Sequence, residues 1–292
     1  MPLNLPTHDA MPQGVLYIVA TPIGNRDDIT LRALKTLRRV DLVAAEDTRH
    51  TARFLNYHGI RGNLISCYEH NEQERASFLI SRLKQGMSVA LVSSAGTPSV
   101  SDPGYRIVVA AIRSNVRVVP IPGACAAVTA LCASGLATDS FVFEGFAARK
   151  KAKRRRRLEQ LATESGTLIF YESPRRILTL VKDLIEIAGD RYAVLGREMT
   201  KLHEEFIRGN LSGILKCLSE RPVVKGECTL LVEGYLGKKD TPSQDFEKEL
   251  RDGLINDRDR LSILSKQIAA RYGISRNMVY KKGLKIKSEI DG

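Results

Sequence analysis

A chain of 292 residues, 43% of them hydrophobic, is long enough for two ordinary domains, yet none of its apolar runs approaches the roughly eighteen residues that cross a bilayer. Five scattered cysteines (Cys67, Cys125, Cys132, Cys217, Cys228) without a C-x-x-C pair, and five histidines without H-E-x-x-H, argue against a zinc site and for reduced thiols in a cytosolic protein. The net charge of +12 is local: residues 149–157 carry eight positive charges and no acid, and removing those eight leaves +4, so the excess points to a polyanionic partner.

Residues 1–13 read as a loose tail, with no basic start and apolar stretch of a signal peptide. Residues 15–20, V-L-Y-I-V-A, form the continuous apolar run of a central parallel strand. T-P-I-G-N-R-D-D follows; Thr21 is extended before Pro22, Gly24 frees the turn, and Leu31, Leu34 and Leu37 recur at helical spacing behind Asp28 or Thr30 as N-cap. Neither G-x-G-x-x-G nor G-x-x-x-x-G-K-[ST] occurs here, so nothing argues for a dinucleotide enzyme or an NTPase. A second strand, 41–45, runs into E-D-T-R-H at 46–50, which is either a site cluster or a helix start capped by Asp47 or Thr48. A strand at 63–68 and a helix at 72–85 ending at Gly86 come next.

The strand at 88–92 opens into S-S-A-G-T-P-S-V-S-D-P-G, residues 93–104, before a helical stretch at 105–112. Gly96 and Gly104 permit close backbone approach, Pro98 and Pro103 stiffen the loop, and Ser93, Ser94, Thr97, Ser99, Ser101 and Asp102 supply short polar arms. In open α/β sheets ligands bind beyond the carboxyl ends of strands, where this loop would sit; the alternative is a rigid cap on the sheet. Another strand, 116–121, leads into P-G-A-C and a helix of small residues, with Cys125 and Ala126 at its mouth toward a ligand and Val128 and Cys132 in the core.

Domains are expected at 14–135 and 136–236, the second built from strands 141–146, 167–171, 193–197 and 228–233 and helices 152–162, 175–188 and 211–219. The basic run opens its first helix: Arg149, Lys150, Lys151, Lys153, Arg154, Arg155, Arg156 and Arg157. Positive charge at nearly every position implies an arm that is partly mobile and neutralised by nucleic-acid phosphates, or else a solvated face. E-S-P-R-R at 172–176 and the charged stretch 197–209 either bind phosphate or ribose or form ion-pair networks. After a polar linker at 237–244, a basic tail to residue 292 reads as three short helices. Leu261, Leu264 and Ile268 make a stripe, Gly273 a break, and Ser275 a cap with Met278 and Val279 inward, as in a helix-turn-helix or a packing appendage.

The motifs L-Y-I-V-A-T-P-I-G-N, A-A-E-D-T-R-H-T, A-G-T-P with S-D-P-G, F-E-G-F, L-I-F-Y-E-S-P-R-R and R-E-M-T-K-L-H-E-E occur in this order. As a set they resemble the bacterial ribosomal small-subunit methyltransferase I family, of the tetrapyrrole-methylase fold, over about residues 14–235, and the basic tail is similar to that family's C-terminal helix-turn-helix segment. The resemblance implies an S-adenosylmethionine-dependent enzyme that methylates a cytidine ribose 2′-oxygen of 16S rRNA, near the decoding centre of the small ribosomal subunit. It implies a cytoplasmic homodimer of two α/β domains with a helical tail, the cofactor in the interdomain cleft, and no metal or membrane. Carried onto this chain, the cofactor positions are Pro22, Gly24, Ser94, Gly96, Thr97, Pro98, Ser101, Asp102, Gly123, Cys125 and Ala126. Departures are Arg26 where the family commonly has leucine, Ser94 where it has an acid, and Ala124-Cys125 in place of Pro-Ser. Glu46 and Asp47, with Glu198 behind them, are the candidate general bases, and Arg49, Arg175 and Arg176 join the basic run as RNA contacts. A tetrapyrrole-precursor methylase of the same fold would not need the basic segments, and a non-catalytic RNA-binding module would not need the Gly-Pro loops.

Overall fold

Strand β1 (Val15–Val19) buries alternate residues into two different cores, Val15, Tyr17 and Val19 into one and Leu16 into the other, as a strand covered on both faces must. It is joined by β2 (Leu42–Ala45), β3 (Leu64–Ser66), β4 (Val89–Val92) and β5 (Arg117–Ile121) in an all-parallel sheet of order β3-β2-β4-β1-β5. Helices α1 (Leu31–Arg39) and α2 (Thr48–Tyr57) bring Ala33, Leu37 and Leu55 to one face. Helices α3 (Glu72–Lys84) and α4 (Tyr105–Arg113) bring Leu79, Ile107 and Ala111 to the other. The computed structural model describes residues 14–237, 244–256, 261–272 and 276–290.

The second sheet is mixed, of order β6-β7-β10-β8-β9, with only β6 (Phe141–Phe146) and β7 (Thr167–Glu172) parallel to each other. Strands β8 (Tyr192–Arg197), β9 (Glu205–Asn210) and β10 (Cys228–Val232) complete it by antiparallel pairing. Helices α6 (Lys151–Leu161), α7 (Ile177–Ala188) and α8 (Leu211–Ser219) pack on the face that carries Phe170, Leu195 and Leu230. The opposite face, with Ile169, Val194 and Leu231, is covered by α5 (Ala126–Ser134) through Ala127, Ala130 and Leu131. One helix following the first sheet thus seals the second, and the cleft between the sheets opens at its amino end.

Three sequence expectations change here. Val128 and Cys132 lie on the exposed face of α5: only Ala127, Ala130, Leu131 and Ser134 face inward, and residues four apart share a face, so 128 and 132 point out together. Residues 151–157 of the basic run are no mobile arm but the first turns of α6, held by a buried Arg154 and by Leu158 and Leu161, with Arg149 and Lys150 leading into it. Strand β9 was hidden in the charged stretch, because an edge strand with polar residues on its open face shows no apolar run.

The chain divides into two compact units between Gly234 and Tyr235. The second contains α9 (Gln244–Asn256), α10 (Leu261–Tyr272) and α11 (Arg276–Ile290) around Phe246, Leu250, Ile268 and Val279. The Leu261, Leu264 and Ile268 stripe does serve this small core. The tail at 1–13, most of the linker at 237–244, the Gly273 break, the Ser275 cap and the Met278 side chain lie outside the described residues. Among the described residues no helix is long and apolar enough to cross a membrane.

Candidate active site

Parallel pairing sets the carboxyl ends of β4, β1 and β5 side by side, so the loops that follow them meet. Thr21 and Gly96 exchange two backbone hydrogen bonds, Thr21 N to Gly96 O at 2.8 Å and Gly96 N to Thr21 O at 3.0 Å. Thr97 Oγ1 donates to Ala124 O at 3.0 Å, tying in the third loop. Helix α4 begins at Gly104 with no cap of its own; the buried Glu72 carboxylate accepts from Gly104 N at 3.0 Å and Arg106 N at 2.8 Å instead. Between these anchors Ser99 and Ser101 sit at φ 69° and 65°, backbone strain of the kind that clusters at ligand sites.

These loops form one wall of a cavity of about 290 Å³; Gly96, Thr97, Ser101, Asp102, Cys125 and Ala126 line it on that side. The other wall is the second sheet: Phe146 and Tyr171 at the carboxyl ends of β6 and β7, and Cys228 and Thr229 at the amino end of the antiparallel β10. Burial, and then the negative charge of Glu46, push the Asp102 carboxyl up to about 7. Tyr171 Oη accepts from Ala127 N at 2.9 Å at the head of α5, and burial pushes its phenol well up, so it stays neutral. Glu172 Oε1 accepts from Ser173 N at 2.8 Å, and its buried Oε2 lies 3.1 Å from Arg176 Nη2, an ion-pair approach without hydrogen-bond geometry.

The remaining candidates stand elsewhere. Pro22 and Ser94 line a separate 30 Å³ cavity with His50 and Thr51. Gly24 faces the loop after β8: a Cβ there would lie 2.6 Å from both Thr200 Oγ1 and Lys201 Cγ, so only glycine allows this approach. Pro98 is buried in its own loop, and Gly123 packs against Ala20. Glu46 Oε2 accepts from Ser94 N at 2.9 Å at the edge of the cluster. Asp47 Oδ1 caps α2, accepting from Arg49 N at 2.8 Å and His50 N at 3.0 Å, bonds that hold its carboxyl below the usual range. Glu198 takes Lys201 Nζ at 2.9 Å and Glu227 N at 3.0 Å and is likewise lowered.

The basic residues fall into two sets. Arg154 pairs with Asp183 at 2.7 Å, both side chains buried; Arg155 pairs with Asp183 at 3.0 Å and Glu186 at 2.5 Å; Arg157 pairs with Glu144 at 2.8 Å. Arg149, Lys150, Lys151, Lys153 and Arg156 are exposed, with no acidic partner among the described residues. Lys153 and Arg156 line a second cavity of about 470 Å³, which Phe146 also lines. Arg176 is tied to the Ala147 carbonyl at 2.5 Å as well as to Glu172, while Arg175 and Arg49 are exposed. The charged stretch after β8 is an ion-pair network: Arg197 and Arg221 both hold Glu205, whose carboxyl drops to about 2.

Phe146, Tyr171 and Thr229 carry no chemistry that a sequence scan selects, since each ends or begins an apolar strand. The available signal was positional: F-E-G-F and F-Y-E-S-P both close strands at the same sheet edge.

Residues 15–215 match the Tetrapyrrole (Corrin/Porphyrin) Methylases. Among solved structures the chain is similar to uroporphyrin-III-C-methyltransferase of Thermus thermophilus, with a TM-score of 0.56, 22% identity, and coverage of 76% of this chain and 94% of that one. A structure of the Thermus thermophilus enzyme complexed with S-adenosyl homocysteine aligns with a TM-score of 0.54 at 17% identity, covering 74% and 96%. The Ribosomal RNA small subunit methyltransferase I of Haemophilus influenzae is 47% identical over 275 residues, 93% of this chain and 96% of its own length. That of Halalkalibacterium halodurans is 49% identical over 232 residues, 80% of each. At this identity over nearly its whole length, and with the methylase domain across both sheets, the chain belongs to the ribosomal RNA small subunit methyltransferase I family, within the tetrapyrrole methylases.

Proposed function

We propose that this chain transfers a methyl group from S-adenosylmethionine to small-subunit rRNA, and that the acceptor is a cytidine ribose 2′-oxygen of 16S rRNA near the decoding centre. The observation that carries the reading is the junction of two unlike cavities at Phe146: one lined by strained loops and the Asp102 carboxyl, the other by the unpaired Lys153 and Arg156 beside the ion-paired Arg157 and Glu144. A small-molecule methylase needs only the first.

The residues of the first cavity fit S-adenosylmethionine. Ala95, Gly96 and Ala126 leave room for a bulky ligand, Ile23 and Val100 offer apolar surface, and the Asp102 carboxyl suits a cationic one. When bound, the cofactor supplies an electrophilic methyl on a sulfonium sulfur. A ribose hydroxyl is a weak nucleophile at neutral pH, and a carboxylate whose pKa lies near 7 is matched to take its proton, at a gain of about 10²–10⁴-fold. We therefore assign that proton transfer to Asp102, with burial and then the charge of Glu46 keeping its proton affinity high. Asp47 acts through the fold as the α2 cap. Ordering both reactants in a cleft sealed by α5 supplies the alignment, worth about 7–11 kcal/mol. Lys150, Lys153, Arg156, Arg49 and Arg175 hold flanking phosphates in this reading, whereas Arg154, Arg155, Arg157 and Arg176 fasten the scaffold. We further infer that the enzyme acts in the cytoplasm as a homodimer; Val128, exposed on α5, offers apolar surface to a second copy.

The test uses small subunits from cells lacking this protein, incubated with the purified chain and radiolabelled S-adenosylmethionine, then digested and mapped by mass spectrometry. One labelled cytidine 2′-oxygen is expected. Label on a base would overturn the acceptor assignment. No label on RNA while cofactor binds would point to a small-molecule substrate.

A further inference from the structure

Strand β6 contains one residue too many. Phe143 pairs with Ile169 of β7 and Gly145 with the next residue, Phe170, so Glu144 is left as a bulge, and Gly145 takes φ 68°. Were Glu144 paired in a regular ladder, Phe143 and Phe146, three residues apart, would lie on opposite faces of the sheet. With the bulge, both face the cleft beside Tyr171, at ring distances of 4.9 Å and 5.8 Å and interplanar angles of 71° and 65°, while Glu144 is released to pair with Arg157 of α6. Phe143 is half-buried in the core; Phe146 is 57% exposed. Phe146 thus meets Tyr171 on one side and leaves more than half of its surface open. That surface stands between the cavity that holds Asp102 and the groove that holds Lys153 and Arg156.

We propose that Phe146 is the stacking platform for the base of the target nucleotide, with the neighbouring phosphates on Lys153 and Arg156. The inference rests on the reading that the substrate is RNA. A 2′-hydroxyl must enter the cleft alone with its ribose, and its base leaves the ribose toward the rim, where only an unstacked nucleotide can fit. Single-stranded nucleic acid is bound by such a pairing of an aromatic face with a positive groove. Phe146 is thus a binding and positioning residue, and it touches no reacting atom.

The chain has no tryptophan, so Phe146→Trp places its one indole, excited apart from the tyrosines at long wavelength, at the platform. Binding of the unmethylated small subunits described above should quench its emission. In the labelling assay Phe146→Leu, which keeps apolar volume but loses the flat face, should raise KM for those subunits about 5- to 100-fold with kcat within about 3-fold, and Phe146→Tyr and Phe146→Trp should restore it. Because Phe146 also lines the cofactor cavity, KM for the subunits is read at saturating S-adenosylmethionine in each variant. Lys153→Gln and Arg156→Gln should each reduce the slope of log affinity against log salt by about 0.7, the single-strand value per phosphate. Unchanged KM in Phe146→Leu, or unquenched Phe146→Trp on subunits that are methylated, would overturn the platform and leave the RNA reading standing. Wild-type protein that binds cofactor and labels no rRNA would overturn both.

Discussion

Replacing Asp102 by asparagine should make the protein more stable and nearly inactive. In the fold this carboxyl is half-buried and faces the charge of Glu46; burial first, and then that charge, lift it from 3.8 to about 7. A folded-state value above the unfolded one means the native state holds the proton more tightly, so stability is full below about pH 3.8 and falls as pH rises to about 7. The interval is roughly three decades of proton affinity at about 1.4 kcal/mol each; halved for the water that an open cavity admits, about 2 kcal/mol is forfeited above pH 7. Asparagine keeps the shape and removes the ionisation. Calorimetry at pH 8 should show a melting temperature higher by about 4–8 °C, and a smaller gain at pH 5. The same variant should lose about 10²–10⁴-fold in kcat on small subunits. A melting temperature that falls, or a gain as large at pH 5 as at pH 8, would refute the electrostatic argument; full activity would remove Asp102 as the base.

Glu72→Gln should cost about 2 kcal/mol, because a neutral amide replaces the charged acceptor of two α4 backbone N–H groups; a melting curve unshifted by it would mean that α4 is capped otherwise. Arg154→Met should destabilise by about 2–3 kcal/mol, since it strips one of two partners from the buried Asp183, whereas Arg156→Gln should change stability by less than about 0.5 kcal/mol and weaken only RNA binding. Denaturant titrations of the two variants, compared with RNA-binding isotherms, separate these roles. Glu205, held near 2 by Arg221 and Arg197, contributes stability that is present above about pH 4.5 and lost as pH falls toward 2; being partly exposed, it is worth about 1 kcal/mol. Glu205→Gln should therefore melt lower than wild type at pH 6, with the gap closing as pH approaches 2.

What the sequence made legible was whatever a period or a breaker encodes. The five strands of the first sheet announce themselves as apolar runs, and β1, β4 and β5 are followed by turns of Gly, Pro and Ser. The central loop's Gly96, Thr97, Ser101 and Asp102 all reach the cavity. What stayed hidden depends on partners distant in the chain. Asp47 and Asp102 are both carboxylates in loops after strands; one caps a helix and the other is half-buried in a cavity wall, and only the third dimension distinguishes them. Likewise eight adjacent positive charges look alike until Asp183, Glu186 and Glu144 select three of them. A bulge is invisible to a period count, because Glu144 simply looks like the next residue of an alternating strand.

The place of β10 in its sheet also bears on how the chain is made. The first sheet needs nothing beyond Ile121, so it can close while synthesis continues. The second has its last strand, β10 (Cys228–Val232), in the middle, between β7 and β8. Until that strand emerges from the ribosome, β7 and β8 have no shared neighbour and α5 has no finished surface to seal. At about 5–20 residues per second this leaves a nascent intermediate, half folded and with apolar surface uncovered, for several seconds. A stop codon or frameshift between β5 and Cys228 would therefore yield not a shortened enzyme but a folded first half joined to an unclosed sheet, a species marked for chaperones and proteases.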